Sequence, residues 1–186
     1  NTSRVGIKGD EKLTNDLTAI YKLEWGFSSD SDDSTFNARD RFLGLQSEKM
    51  GTLRVGRFVS PLRAIEGTVD QFNESATLDI QNFMVGQDRI NNAIGYTSPK
   101  FANAFVVEVA LQQGEAAAGA GDSLGDGISA SITYAQNGLT LAAALNKDIA
   151  TNQQNNGETL RLVGGYVTGD LELGALFQTS DIVVGD

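Results

Sequence analysis

The sequence predicts an all-β protein, a transmembrane antiparallel β-barrel. Three observations carry that prediction. Apolar and polar residues alternate with period two along most of the chain, the polar set includes full charges at mid-strand, and the connections alternate between long and short. Alternation alone fits a soluble β-sandwich equally well. The other two observations favour the barrel.

The composition suits many strands and tight turns. Among 186 residues there are 21 Gly and only 2 Pro. Gly relieves turns, whereas Pro interrupts a hydrogen-bonded ladder. With no Cys and no His, disulfides, thiolate or imidazole metal sites, and Cys or His catalysis have no residues to use. A formal net charge of −10 argues against a nucleic-acid partner, which needs a basic footprint. No stretch reaches the roughly 20 apolar residues of a membrane helix. Barrel strands cross in about 9–11 alternating residues and leave hydropathy near zero, so a mean hydropathy of −0.19 fits either a membrane barrel or a soluble protein. Asn1 is not an initiator Met, no terminating element follows Ser180, and both ends read as truncations.

Ten strands are expected. Arg4–Lys8 sets Val5 and Ile7 against Arg4 and Lys8. Leu17–Phe27 is the clearest run, with Leu17, Ala19, Tyr21, Leu23, Trp25 and Phe27 on one face and Thr18, Ile20, Lys22 and Glu24 on the other. Arg41–Gln46 pairs Leu43 with Leu45, and Thr52–Phe58 pairs Leu53 with Val55. The pattern lapses after residue 60 and resumes at Arg89–Tyr96, where Ile90, Ile94 and Tyr96 are expected opposite Arg89, Asn91 and Ala93. Phe105–Gln112, Ile128–Tyr134, Leu139–Leu145, Thr159–Val167 and Leu171–Gln178 complete the set, with no long helix.

Short connections are expected at Ser47–Gly51, Ser98–Asn103, Ala135–Gly138 and Thr168–Asp170, where Asn137-Gly138 and Gly169-Asp170 supply turn chemistry. Long ones are expected at Ser28–Asp40, Ser60–Asp88, Glu115–Gly127 and Asp148–Glu158. Successive antiparallel strands return to opposite ends, so one end collects every long loop, as in an outer-membrane barrel. The apolar face is rich in Leu, Val, Ala and Ile at mid-strand. Trp25, Phe27, Tyr96 and Tyr134 lie near strand ends, as an interfacial aromatic girdle would. The competing reading, a β-sandwich binding module at the cell surface, requires polar residues on the outward face of Leu17–Phe27.

Particular segments resemble a known family. Ser3-Arg4-Val5-Gly6-Ile7-Lys8-Gly9-Asp10-Glu11 and Leu23-Glu24-Trp25-Gly26-Phe27 resemble the second and third strands of the trimeric general porins of Gram-negative bacteria. Arg41-Phe42-Leu43-Gly44-Leu45 followed by Gly51-Thr52-Leu53-Arg54-Val55-Gly56-Arg57 resembles the next hairpin. Arg89-Ile90-Asn91-Asn92-Ala93-Ile94-Gly95-Tyr96-Thr97-Ser98-Pro99-Lys100-Phe101 is the strongest match, resembling that family's strand-to-periplasmic-turn signature. The later strands match only in style.

The resemblance implies a 16-stranded barrel of which residues 1–186 supply about strands 2 to 11, so the barrel is incomplete in this chain. It implies an outer-membrane channel for passive diffusion of small hydrophilic solutes and ions, a homotrimer surrounded by outer-membrane lipid and lipopolysaccharide, with no cofactor, metal or catalytic residues. The family's third loop folds into the lumen; here that loop falls at about 61–88 and carries Glu66, Asp70, Glu74 and Asp79. Basic wall residues oppose it. By alternation Arg4, Lys8, Lys22, Arg54, Arg89 and Arg161 face the lumen, whereas Arg57 matches the family's Gly-Arg pair but is aimed outward unless a bulge intervenes. Opposed charges would set up a transverse field that sorts ions.

Other motifs carry less. Gly121-Asp122-Ser123-Leu124 spells the short motif of some serine hydrolases, but those enzymes use a His base. Gly119–Gly127 holds a single Gly/Asp unit where calcium-binding repeats need stacked copies. Ser29-Asp30-Ser31-Asp32-Asp33-Ser34 offers hard oxygens but reads better as a solvated external loop. Glu24, Glu108 and Glu172 lie on separate strands and read as lumen charges rather than catalytic pairs.

Overall fold

A computed structural model describes residues 3–29, 32, 35–72, 75, 77–87, 89–114, 125–150 and 155–182. Ten antiparallel strands form one sheet in strict sequence order, each hydrogen-bonded to its neighbour in the chain. They are β1 (Ser3–Lys12), β2 (Thr18–Phe27), β3 (Asn37–Ser47), β4 (Gly51–Val59), β5 (Arg89–Thr97), β6 (Phe105–Gln112), β7 (Gly127–Gln136), β8 (Leu139–Ala150), β9 (Asn155–Thr168) and β10 (Leu171–Ile182). β1 and β10 are the sheet's edges. Among the described residues there is no second sheet, which a sandwich would need.

The long connections lie at one end, with one correction. The loop expected over Asp148–Glu158 is largely strand, because β8 runs on to Ala150 and β9 begins at Asn155, with Ile149 paired to Asn156. At the opposite end, Asn137 and Gly138 both take positive φ, as a two-residue hairpin turn requires.

One face of the sheet is an apolar band. Leu23, Leu43, Leu53, Val55, Ile94, Leu145, Leu160, Leu162, Leu173 and Phe177 are all exposed. So large a contiguous apolar surface is untenable in water and suits lipid. Toward the short-turn end the band closes in aromatics: Phe101 stacks on Phe105, Phe105 meets Tyr134 edge-on at 5.1 Å, and Tyr96 Oη donates to the Met50 carbonyl. The apolar rings, with the hydroxyls of Tyr96 and Tyr134 as polar tips, match a membrane interface.

Buried side chains collect on the other face. Phe58, Ile90, Ala93, Ala110 and Ile149 form one cluster, while Leu62, Ile65, Ala142, Ala144 and Val163 form a second. Ile90 departs from expectation. Strict alternation groups it with Ile94 and Tyr96, yet it is fully buried in the first cluster. The cause is a register shift between β4 and β5, at which Asn92 takes φ of 48°. Asn tolerates this left-handed conformation better than most residues, and the extra residue of a bulge reverses the parity beyond it. Asp148, with φ of 52°, also precedes a buried isoleucine, Ile149, although β8 keeps continuous register with β9 there. Both isoleucines leave the apolar band and pack in the Phe58 cluster.

Residues 60–87 cross this buried face. Ser60 caps a short helix α1 (Pro61–Ala64) by accepting from Arg63 N, with Pro61 in its first turn. 3-10 turns follow at Ile65–Thr68 and Ile80–Asn82. The segment steps across the strands: Leu62 N donates to Ser129 Oγ on β7, Thr68 lies over Gly165 on β9, and Val69 lies over Gly174 on β10. A side chain at Gly174 would collide with Val69, its built Cβ falling 2.8 Å from Cγ1.

Candidate functional site

The charged residues of the loop-bearing face fall into three groups. In the first, Asp40 on β3 joins Lys22 on β2, at 2.9 Å, to Arg89 on β5, at 2.8 Å. Lys22 also lies 3.1 Å from Glu24, which pairs in turn with Arg39. A register shift between β2 and β3 lets the consecutive residues Arg39 and Asp40 both take part.

In the second group, Arg54 on β4 lies 3.6 Å from Glu108 on β6 and donates to Thr97 Oγ1. Its guanidinium sits 4.7 Å from the centroid of the Phe58 ring, a cation–π geometry. The third group fastens the 60–87 segment. Glu66 Oε2 lies 2.6 Å from Arg161 Nη1 and accepts from Gln87 Nε2, while Arg63 approaches Glu66 Oε1 at 3.5 Å.

The predicted residues are thus only partly brought together. Arg4 and Lys8 lie on edge strand β1, opposite Gly26 and Lys22, and are exposed. Lys22, Arg54 and Arg89 join the clusters just described. Arg57 keeps the parity of Leu53 and Val55, donating to Asn91 Oδ1 and the Arg89 carbonyl. Arg161 has the predicted parity but is fully buried beneath the segment, so it offers no surface to a lumen.

Among the loop acids, Glu66 is buried in its ion pairs. Asp79 is also buried and caps the second 3-10 turn through Gln81 N. Asp70 accepts from Phe72 N. Glu74, the Gly121–Leu124 motif and most of the Ser29–Ser34 run lie outside the described residues.

Sequence reasoning missed Arg39, Asp40, Arg63, Gln87 and Gln178. Asp40 carried a signal, since Arg39-Asp40-Arg41 runs directly into the Phe42-Leu43-Gly44-Leu45 alternation and could have extended that strand. Arg39 shares that signal, Arg63 lies beside Glu66 where the alternation lapses, and Gln87 and Gln178 gave none, because their partners stand on other elements.

Burial pushes the Glu66 carboxyl above the usual carboxylate range, against the opposing pull of Gln87, Arg161 and Arg63. A carboxyl with its pKa raised in the docked loop holds its proton more tightly there than after release. Docking therefore gains as pH falls through the range above 4.5 and loses that contribution as pH rises. Spin labels at Gly67→Cys and Leu173→Cys in the full-length protein should keep the same distance at pH 7 and pH 5. A distance that broadens on acidification would contradict this sign.

A single meander of strands, apolar on one face and carrying paired charges and an overlaid loop on the other, defines the class: a transmembrane β-barrel protein. The sequence matches a family model described as Gram-negative porin over residues 1–185. The chain belongs to the Gram-negative porin family.

It is 29% identical over 185 residues to the major outer membrane protein P.IB of Neisseria meningitidis serogroup B, covering 96% of this chain and 54% of that protein. It is 27% identical over 173 residues to an outer membrane porin protein of Bordetella pertussis, covering 85% and 45%. Among solved structures, the anion-selective porin from Comamonas acidovorans superposes with a TM-score of 0.72 at 25% identity, covering 96% of this chain and 57% of that one. Salmonella typhi OmpF, at 17% identity and a TM-score of 0.74, shares the fold. The chain spans about half the length of the curated relatives it matches.

Proposed function

We propose that this chain forms part of a non-enzymatic, water-filled channel for passive diffusion of small hydrophilic solutes and ions across the outer membrane. The observation that carries the reading is the division of one sheet into a lipid-suited apolar face and a charged face crossed by residues 60–87. That segment acts as the constriction, spanning the proposed loop region at about 61–88. The protein works as a homotrimer surrounded by outer-membrane lipid and lipopolysaccharide. Full-length protein should give stepwise single-channel conductance in a planar bilayer; a silent, water-soluble monomer would refute the proposal.

Ion preference follows from the balance of charge. Lys22, Arg39, Arg54 and Arg89 share the carboxylates of Glu24, Asp40 and Glu108 within 4.0 Å, so this part of the wall has no strong surplus of positive charge. Arg54 is the pore-wall base whose removal should register most clearly. Its side chain is partly exposed, and Glu108 is its carboxylate partner. Arg54→Ala is expected to move the reversal potential under a salt gradient toward cation preference. An unchanged potential would remove Arg54 from the lining.

A further inference from the structure

We infer that Arg161 is a positioning residue of the channel, clamping both arms of the 60–87 segment to the wall rather than lining the pore. The inference rests on the proposed constriction. The guanidinium donates to the Leu62 carbonyl at 3.3 Å and to Glu66 Oε2 at 2.6 Å, both on the outgoing arm. It donates to the Val85 carbonyl at 3.0 Å on the returning arm. Its Nε donates at 2.8 Å to Gln178 Oε1 on β10, and Gln178 Nε2 donates to the same Val85 carbonyl at 3.2 Å. One planar fork thus ties two stretches of loop to two adjacent strands.

The surroundings support the clamp. Gln87 Nε2 donates to the same Glu66 oxygen that Arg161 holds. Gly86, with φ of +80°, lets the returning backbone pass close to Leu62; a Cβ there would lie 2.7 Å from Leu62 Cδ2. Arg161 is fully buried, so its charge meets the segment and not the water of a pore. Arg suits this role because its donors are fixed in one plane and it stays charged, whereas Lys presents a single point of attachment.

The test uses the full-length protein in planar bilayers. Arg161→Met is expected to raise open-channel current noise several-fold and to bring on closures at lower voltage, with the reversal potential unchanged. Adding the pair Thr68→Cys and Gly165→Cys should restore a quiet channel under oxidising conditions and lose that effect on reduction. Thr68 Cγ2 lies 3.1 Å from where the Gly165 Cβ would stand, so the two sites can be bridged without Arg161.

If Arg161→Met does not assemble, Glu66→Ala, which removes the oxygen that Arg161 and Gln87 both hold, carries the same comparison, with a smaller rise in noise. A shifted reversal potential with unchanged noise would make Arg161 a lining charge and overturn the inference. So would failure of the oxidised disulfide to quiet the channel. Absence of any conductance from the unmodified protein would instead overturn the channel reading itself.

Discussion

Leu162→Arg is expected to cost the folded barrel about 2–4 kcal/mol, the range for a charged side chain placed at the lipid midplane. Leu162 sits near the middle of β9, between Ala143 on β8 and Phe177 on β10. It is 44% exposed and Phe177 62%, which is unfavourable in water and natural in hydrocarbon. The measurement is the urea midpoint of full-length protein folded into phospholipid vesicles. Thr133→Arg is the control, because Thr133 pairs with buried Ala142 on the opposite face. Its cost should be clearly smaller, because the half-buried Thr133 lies on the face that carries the charged residues and not on the lipid-suited one. Equal costs at the two sites would mean that the apolar face does not meet lipid.

Phe58→Ala should destabilise the fold by about 3–5 kcal/mol, the usual cost of emptying a buried aromatic site. Phe58 is 1% exposed and packs with Ile90, Ala93, Ala110 and Ile149, with Phe42 alongside. Its ring lies over Gly95, where any Cβ would fall 2.6 Å from Phe58 Cζ, so Gly95 offers no side chain to fill the space. The same ring supports the Arg54 guanidinium, and its loss should also free that side chain. Phe58→Leu, keeping most of the volume, should lose clearly less in the same urea titration. A midpoint unchanged by Phe58→Ala would show that the Phe58 cluster contributes nothing to stability.

Strand number, order and the end that gathers the long loops were legible, because period-two alternation and turn chemistry are local signals. Val5 and Ile7, Leu43 and Leu45, and Leu171 and Leu173 lie where alternation places them. Ile90 does not, since one left-handed Asn reverses parity and nothing in the local pattern distinguishes it from an ordinary strand residue.

The Asp148–Ala150 stretch reads as loop because the apolar alternation ends at Leu145 and the polar run Asn146-Lys147-Asp148 follows, although β8 stays paired with β9 to Ala150. The charged residues were legible by face but not by partner. Alternation places Arg161 on the inner face, but its burial follows from Leu62, Glu66 and Val85, which arrive from far along the chain. Pairing of that kind leaves no periodic trace.

The strictly sequential strand order has a kinetic consequence. Every strand pairs with a neighbour in the chain, so each hairpin closes only a short length of polypeptide, and the loop-closure entropy that slows non-local folds is small at each step. Residues 60–87 are the exception. Glu66 and Arg161 are 95 positions apart, and neither arm of the segment has its clamp until β9 has been added. Wall assembly is therefore expected to precede loop docking, so residues 60–87 are set last, after the strands that hold them have already found one another.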